Sequence, residues 1–361
     1  MSENIDNRLQ DIKIVRNLHL AEKIVFIDGL PGCGKTLFSS LISAFDRAEK
    51  ITYSYEIEHL CAIYKLKRSE IDPIVAMIRM LSDLLIYDMM MSRNVNFRPS
   101  DLSSGLKHPD KLKYIRRLFQ KGDMSIPERI IEERPILPLT VHNLLSIAGP
   151  IFEALTDRVV FIEIVRHPLY MIIQQALNNE RMVFNARDFT IYYHFGDLEL
   201  PWYVSGWESE FLKANPVEKA IHFIDKVGGM MDSSRYQILQ KYPGQILTIP
   251  FDDFVLEPDN HMADIARVMG SGITRTTLKM LKKQNVPRKK VSEGIPLDIY
   301  KRCGWVPPKG DLSEMGEFNV RRQYAIENAS PEAIKILDRL CADYEAKYMG
   351  GVLIGENGYK D

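Results

Sequence analysis

The chain has 361 residues, of which 45% are apolar and 26% are charged, and its formal net charge is -1 at pH 7. These values are ordinary for a globular protein with one large α/β domain or two modest ones. The near-neutral balance argues against a general nucleic-acid coat, so anion binding would have to come from local basic clusters.

The cysteines and the N-terminal residues indicate in which cellular compartment the protein is expected. The four cysteines are far apart and form no CxxC pair, which fits a reducing compartment and gives no zinc signature. Residues 1–22 are polar and lack the apolar core of a signal peptide, and no stretch reaches about 18 uninterrupted apolar residues. We therefore expect a cytoplasmic protein whose first 22 residues form an arm or a capping helix.

The first strong pattern is a strand, a glycine-rich loop and a helix over residues 24–42. The apolar run Ile24–Ile27 predicts a buried strand, and helical spacing begins at Leu37. The loop between them fits G-x-x-x-x-G-K-[ST] at every fixed position. Its residues are Gly29, Leu30, Pro31, Gly32, Cys33, Gly34, Lys35 and Thr36. Glycines let backbone N–H groups approach an anion, and the helix N-terminus adds a positive dipole end. We predict a phosphate-binding loop, with the phosphate compound left open.

Helical patterns and loops follow up to the next clear strand. Residues 51–55 predict a short strand, residues 56–91 a helix with one apolar face, and residues 93–109 a loop or an acceptor-side insertion. A basic stretch follows, which we interpret as a solvated helix face in preference to an acceptor-anion site. It contains Lys107, Lys111, Lys113, Arg116, Arg117 and Lys121. Residues 136–142 then predict a strand that leads into a helix over 144–155.

The second half repeats the alternation of strands and helices. Arg158–Val165 predicts a buried strand that ends before Arg166, and Gln245–Pro250 predicts a third. Helical patterns cover 169–178, 216–241, 258–270, 274–284 and 331–348, and residues 286–294 form a basic loop. The segment Phe184–Trp207 is rich in aromatic side chains, which fits an acceptor cleft and a packed flap equally well.

Strands alternating with helices predict the fold class: a three-layer α/β/α fold with a mainly parallel central sheet, of the P-loop NTPase type. We expect one domain over residues 23–361, with insertions at about 56–135 and 184–215. Ligands of such sheets collect at the carboxyl ends of the strands. The Gly29–Thr36 loop, His142 and Arg166 all follow predicted strand ends, so we expect them to converge.

Several stretches together resemble the sulfotransferase family, whose members carry a sulfuryl group from 3'-phosphoadenosine 5'-phosphosulfate (PAPS) on a P-loop-type fold. The stretches are GLPGCGKTLFSSLI, LTVHNLLSIAGPIFEALTDRVVFIEIVRHPLYMI, ILTIPFDDFVLEPDNHMADIARVMG and NASPEAIKILDRLCADYEAKY. In order, they look like the family's strand–loop–helix, its histidine and Arg-x-Pro turn, its acidic turn with proline, and its closing helix. The likeness covers most of the chain from Lys23 onward.

The resemblance implies roles for particular residues. The Gly29–Thr36 loop would hold the 5'-phosphosulfate, with Lys35 and Thr36 neutralising charge near the sulfuryl group. His142 would be the general base that takes the proton of a hydroxyl or amine acceptor, a carbohydrate or a small molecule. The 3'-phosphate would be bound by basic side chains, namely Arg166, Arg288 and Lys289. The donor would need no metal.

An ATP-dependent kinase or NTPase using Lys35, Thr36 and Mg²⁺ is the alternative. The loop departs from the sulfotransferase pattern, because Gly32 stands where a basic residue is usual and Lys35 where threonine is usual. Gln174 also stands where the resemblance leads us to expect a serine. Candidate carboxylates for the magnesium ion or the base are Asp28, Asp252 and Asp253. A nucleotide-controlled switch in an assembly is a third and weaker interpretation.

Overall fold

The computed structural model describes residues 12–294 and 312–349. Its strands are β1 (Lys23–Asp28), β2 (Thr52–Tyr53), β3 (Ile136–Thr140), β4 (Val159–Val165), β5 (Tyr192–Phe195), β6 (Leu198–Pro201) and β7 (Ile246–Pro250). Within these residues, a parallel sheet of five strands has the order β2-β3-β1-β4-β7. β5 and β6 form a separate antiparallel hairpin inside the aromatic segment.

Helices connect and cover the strands. In chain order they span Lys35–Ile42, Tyr55–Lys65, Ile71–Met91, Leu112–Arg117, Ile126–Glu133, Gly149–Leu155, Pro168–Arg181, Glu208–Lys213, Pro216–Lys241, Phe251–Leu256, Pro258–Met269, Arg275–Lys283, Glu314–Asn328 and Pro331–Tyr348. Short 3-10 turns lie at Gly105–Lys107, Asp123–Ser125, Leu144–Ile147, Thr156–Arg158 and Trp202–Val204. In the part of the chain that the structure describes, no helix combines the length and the apolar character needed to cross a bilayer.

The sheet separates two hydrophobic cores, because successive side chains of a strand point to opposite faces. Val25 and Ile27 of β1 pack into one core, with the helices Lys35–Ile42 and Pro168–Arg181. Ile24 and Phe26 pack into the other core, with the helix Ile71–Met91 and its neighbours. Helices on both faces of a parallel sheet confirm the predicted three-layer α/β/α fold class.

One predicted helix is divided in the structure, and the described N-terminal residues form an arm. The pattern over residues 56–91 is divided into Tyr55–Lys65 and Ile71–Met91, because Lys67 adopts a left-handed φ of 56° that ends the first helix. Within the predicted arm or capping helix, residues 12–21 form no helix, and residues 1–11 lie outside the described part. Two carboxylates of the helix Ile71–Met91 hold the arm. The backbone N–H of Ile14 donates to Asp72, and the N–H of Leu20 donates to Asp83.

β1 lies at the point of the sheet where the strand order reverses. β3 and β2 lie on one side of β1, whereas β4 and β7 lie on the other. In open α/β sheets, ligands bind in the crevice at such a switch point, outside the carboxyl ends of the strands. The segments that begin at this edge start with Gly29 after β1, Val141 after β3, Arg166 after β4 and Phe251 after β7.

Candidate functional site

The glycine-rich loop after β1 is pressed against the neighbouring strand ends. Gly29 has a φ of +143°, and a Cβ there would lie 2.3 Å from the carbonyl oxygen of Ile164 in β4. Gly34 has a φ of +104°, and a Cβ there would lie 2.3 Å from the ring of Phe251, just after β7. Only glycine meets both conditions, so these two positions fix how closely the loop packs against β4 and β7.

Lys35 points back into the loop rather than out to solvent. It is the first residue of the helix Lys35–Ile42, and its side chain is buried. Its Nζ donates to the carbonyl oxygen of Gly29 and, at 3.3 Å, to that of Leu30. An ammonium group and a helix N-terminus therefore share one cradle, which is the arrangement that favours an anion.

The remaining loop positions are also held in place. The N–H of Cys33 donates to the carbonyl of Leu30 at 3.2 Å, and burial raises the pKa of the Cys33 thiol. The amide Nε2 of Gln175 donates to the carbonyl of Pro31 at 2.9 Å, so the helix Pro168–Arg181 supports the loop from β4's side. Thr36, at the loop's end, is partly exposed.

The segment after β3 runs alongside the loop. The N–H of Val141 donates to Ile27 at 3.1 Å, and the N–H of Asn143 donates to the Gly29 carbonyl at 3.3 Å. Asp28 holds the same segment, because its Oδ2 accepts from the N–H of Leu145 at 2.6 Å. Burial raises the pKa of the Asp28 carboxyl although Lys35 opposes this, and its Oδ1 has no hydrogen-bond partner among the described residues. Hydrogen bonds to β1 and the loop thus position His142, which lies between Val141 and Asn143.

His142 is oriented by one carboxylate and two rings. Its Nδ1 lies 3.2 Å from Oε1 of Glu58, which belongs to the helix Tyr55–Lys65. Its ring is nearly parallel to those of Tyr53 and Tyr55, with centroids 6.4 and 6.0 Å away. A hydrogen atom on Nδ1 that is donated to Glu58 leaves the lone pair on Nε2. The His142 side chain is 39% exposed, so it is accessible at the carboxyl edge of the sheet.

Arg166 contacts the loop from the opposite side of β1. Its Nη1 donates to the Gly32 carbonyl at 3.1 Å, and its Nε lies 3.8 Å from Oδ1 of Asp252. The guanidinium lies 4.3 Å from the ring centroid of Phe251 and 4.7 Å from that of Tyr170. Arg166 therefore forms a positively charged wall beside the loop, held between two aromatic rings.

The basic loop at residues 286–294 contributes one of its two predicted side chains to this wall. The guanidinium of Arg288 lies 5.4 Å from the same Phe251 ring and donates to the carbonyls of Asn285 and Val291. Lys289 is exposed, and its backbone N–H donates to Glu293. The structure thus brings Arg166 and Arg288 to one ring beside Gly34, while the Lys289 side chain faces solvent.

The acids considered for a magnesium site each have a protein partner. Asp252 accepts from the backbone N–H of His167 at 3.2 Å and from the hydroxyl of Tyr344 at 3.0 Å. Asp253 pairs with His261 at 2.7 Å, and Asp28 accepts from the N–H of Leu145 as described above. Within residues 12–294 and 312–349, no group of three or more His, Cys, Asp or Glu side chains is arranged to hold a metal ion.

A cavity of about 240 Å³ adjoins the loop on the β4 side. Its walls come from the loop, the end of β4 and the helices Pro216–Lys241 and Pro331–Tyr348. Leu30, Cys33 and Arg166 line it, and Gly228 and Gly229 form part of its helix wall. This space is therefore next to the Gly29–Thr36 loop and in contact with Arg166.

Some residues of this site carry no sequence signal. Glu58 is separated from His142 by 84 positions and belongs to a helical pattern that reads as ordinary. Tyr53 ends the two-residue edge strand β2 and Tyr55 begins the next helix, whereas Phe251 looks like one more apolar residue after β7. The sequence pattern cannot show that their side chains meet at one edge, because the tertiary fold sets these contacts.

Comparisons with known proteins give distant structural neighbours. No family model and no curated protein sequence matches the chain. The sulfotransferase domain of the Synechococcus PCC 7002 olefin synthase is similar at 14% identity and a TM-score of 0.37, over 87% of this chain and 96% of that one. The sulfotransferase domain of the curacin biosynthetic pathway is similar at 13% identity and a TM-score of 0.41, over 88% of this chain and 100% of that one. The sulfotransferase STF9 of Mycobacterium avium is similar at 12% identity and a TM-score of 0.40, over 96% of this chain and 80% of that one.

These neighbours are sulfotransferases, the family that the sequence motifs resemble. Their TM-scores of 0.37 to 0.41 are too low for an argument about donor, acceptor or catalytic residues. Any assignment of such roles in this chain must therefore come from its own geometry.

Proposed function

We propose that this protein is a sulfotransferase-like enzyme that moves a sulfuryl group from PAPS to a hydroxyl or amine acceptor. The observation that carries the proposal is the arrangement around the loop. His142 lies on the β3 side of β1, and two arginines lie on the β4–β7 side. A donor with a phosphate at each end of its ribose would bind between them, with its reacting end towards His142.

The donor would be held by charge at two places. Backbone N–H groups of the loop and the Lys35 ammonium would bind the 5'-phosphosulfate, where negative charge develops as the sulfuryl group leaves. Arg166 and Arg288, which meet at the Phe251 ring, would bind the 3'-phosphate. Gln174 occupies the position of the expected serine, and its Oε1 would lie 3.4 Å from an ideal Cβ on Gly32, so its side chain lies beside the loop.

The acceptor would bind on the β3 side. Its hydroxyl or amine proton would pass to Nε2 of His142, while Glu58 stabilises the imidazolium that forms. The acceptor oxygen or nitrogen then bonds to sulfur as the bond from sulfur to the 5'-phosphate oxygen breaks, and adenosine 3',5'-bisphosphate leaves. Tyr53 and Tyr55 would offer ring faces to the acceptor. This favours a carbohydrate or another ring-bearing small molecule.

A transfer assay tests the proposal against the ATP-dependent alternative. The enzyme is incubated with a mixture of hydroxyl and amine acceptors and either radiolabelled PAPS without magnesium or labelled ATP with magnesium. We expect label transfer and release of adenosine 3',5'-bisphosphate from PAPS only, with loss of transfer in His142→Gln. Transfer of phosphate from ATP, with no reaction from PAPS, would establish the kinase alternative instead.

A further inference from the structure

Two aromatic rings, more than hydrogen bonds, hold the guanidinium of Arg166. Among the described residues it donates one hydrogen bond, from Nη1 to the carbonyl of Gly32. Its Nε lies 3.8 Å from Oδ1 of Asp252, and neither of these atoms has a hydrogen-bond partner in the described part of the chain. The ring centroids of Phe251 and Tyr170 lie 4.3 and 4.7 Å from the guanidinium carbon. The direction of this guanidinium therefore depends on where the two rings lie.

Tyr170 is itself positioned from the C-terminal part of the chain. It is buried, and its hydroxyl has no hydrogen-bond partner among the described residues, so contacts of the ring must set its position. Two of these contacts come from the helix Glu314–Asn328. The ring centroid of Phe318 lies 5.4 Å from that of Tyr170, and the guanidinium carbon of Arg321 lies 4.7 Å from it. This helix thus supports the ring that Arg166 contacts.

Arg321 lies where a charge is costly. It is buried, its Nη2 donates to Glu317 at 2.9 Å, and its Nε has no partner within residues 12–294 and 312–349. Burial lowers the pKa of its guanidinium, Glu317 opposes this shift, and the positive charge of Arg166 lowers the pKa further. A buried ion pair of this kind contributes little stability compared with apolar side chains of similar volume. Stability alone is therefore a weak reason for an arginine at this position.

Contacts between arginines and rings form a continuous path from the basic loop to this helix. The two kinds of side chain alternate along the path, in the order Arg288, Phe251, Arg166, Tyr170 and Arg321. Neighbouring members lie between 4.3 and 5.4 Å apart, a range in which a guanidinium and a ring face attract each other. The first three members form the proposed 3'-phosphate site, and the last two connect that site to the C-terminal helix.

We propose that Tyr170 and Arg321 are positioning residues of the donor site, through which the helix Glu314–Asn328 holds Arg166 in place for the 3'-phosphate. The inference rests on the proposed sulfotransferase function, since it takes Arg166 as a partner of that phosphate. Neither Tyr170 nor Arg321 needs to touch the nucleotide, because both are buried and act through Arg166. Their effect is to preorganise its guanidinium, and less of the binding energy is then lost in ordering that side chain.

Calorimetric titration of the full chain with adenosine 3',5'-bisphosphate and with adenosine 5'-phosphate tests the proposal through the ratio of the two Kd values. Tyr170→Leu should lower the preference for the bisphosphate about tenfold and Arg321→Met about fivefold. Tyr170→Phe should keep the wild-type ratio, because it removes only the unpaired hydroxyl. Arg321→Lys should recover part of the loss, because an ammonium can also lie over the ring. Arg322→Met is the matched control in the same helix and should keep the ratio, since Arg322 pairs with Asp338 at 2.9 Å.

A double-mutant cycle separates this role from a purely structural one. In an Arg166→Ala background, Arg321→Met should change the ratio no further, because its effect passes through Arg166. Thermal melting monitors the fold, and if Arg321→Met does not fold, the double change with Glu317→Gln removes both charges and replaces it. The inference alone is overturned if the wild type prefers the bisphosphate and Arg321→Met keeps that preference, or if Arg322→Met lowers it equally. An undiminished effect of Arg321→Met in the Arg166→Ala background also overturns it. A wild type without the preference would overturn the proposed donor as well.

Discussion

Oε1 of Glu58 lies 3.2 Å from Nδ1 of His142, and the two residues are 84 positions apart. The pair joins the helix after β2 to the segment after β3, and that segment is hydrogen-bonded to the Gly29–Thr36 loop. In the proposed reaction, Glu58 would act through His142 as a positioning residue and would not need to touch the acceptor.

Removal of Glu58 should slow turnover without weakening substrate binding. We expect Glu58→Ala to lower kcat on the order of 10- to 100-fold with little change in KM, because the imidazole loses the partner that orients it and stabilises its charged form. Glu58→Gln should recover part of the loss, since the amide oxygen can still accept from Nδ1. Glu56→Ala, at an exposed acid in the same helical turn, is the matched control and should leave both constants unchanged. An equal loss in Glu56→Ala would show that the helix alone matters.

Arg166 and Arg288 should determine whether the protein senses a 3'-phosphate. The wild type is expected to bind adenosine 3',5'-bisphosphate more tightly than adenosine 5'-phosphate, and Arg288→Ala should reduce this preference about tenfold or more. Arg166→Ala should do the same and should also weaken both ligands, because Arg166 holds the Gly32 carbonyl. Calorimetric titration of both nucleotides measures the ratio. Arg267→Ala, at a 70% exposed arginine side chain, is the control. A preference that persists in Arg288→Ala would remove this residue from the 3'-phosphate site.

Glu49 should make the protein sensitive to acid. Burial alone would raise the pKa of this carboxyl, but Lys113 and Arg117 hold it at about 2, against an ordinary 4.5. The folded state thus binds fewer protons than the unfolded chain, and the resulting stability is complete above pH 4.5 and is lost as the pH falls through 2. The free energy of unfolding should fall by about 3 kcal/mol across this window.

Glu49→Gln tests this prediction. The change removes the buried carboxylate of Arg117 and leaves it paired with Glu133 at 2.9 Å, so we expect a loss of about 3 kcal/mol at neutral pH and a flatter pH dependence below 4.5. Urea unfolding at several pH values provides both measurements. Glu128→Gln, at an exposed acid on the neighbouring helix Ile126–Glu133, should leave the curve unchanged. If the free energy of unfolding of Glu49→Gln fell with pH in parallel with that of the wild type, other acidic residues would control the loss of stability at low pH.

The local patterns of the sequence predicted the helices and strands well, because the spacing of apolar residues within each element reflects which of its faces is buried. The apolar runs at β1 and β4 and the helical patterns of segments such as Pro216–Lys241 are local features, and their alternation predicted the parallel α/β fold class. The sequence pattern did not show the break at Lys67, and it left open whether the N-terminal residues form an arm or a capping helix. Both depend on tertiary contacts, such as Asp72 and Asp83 accepting N–H groups of the arm.

The candidate site shows the same limit. A motif of contiguous residues identified the loop, and strand ends suggested His142 and Arg166. Glu58 and Phe251 were not suggested, because what distinguishes them is which distant side chain they meet. Arg321 was missed in the same way, since only the fold brings its helix to the ring beside Arg166.

Thermal stabilisation by two nucleotides tests whether the Gly29–Thr36 loop binds the proposed donor, because it measures nucleotide binding without knowledge of the acceptor. Adenosine 3',5'-bisphosphate without magnesium and ATP with magnesium are compared on the wild type, on Lys35→Met and on the exposed control Lys65→Met. We expect a raised Tm with the bisphosphate in the wild type and Lys65→Met, loss of that shift in Lys35→Met, and a much smaller shift with ATP. A larger shift with ATP and magnesium, or a bisphosphate shift that survives in Lys35→Met, would contradict it.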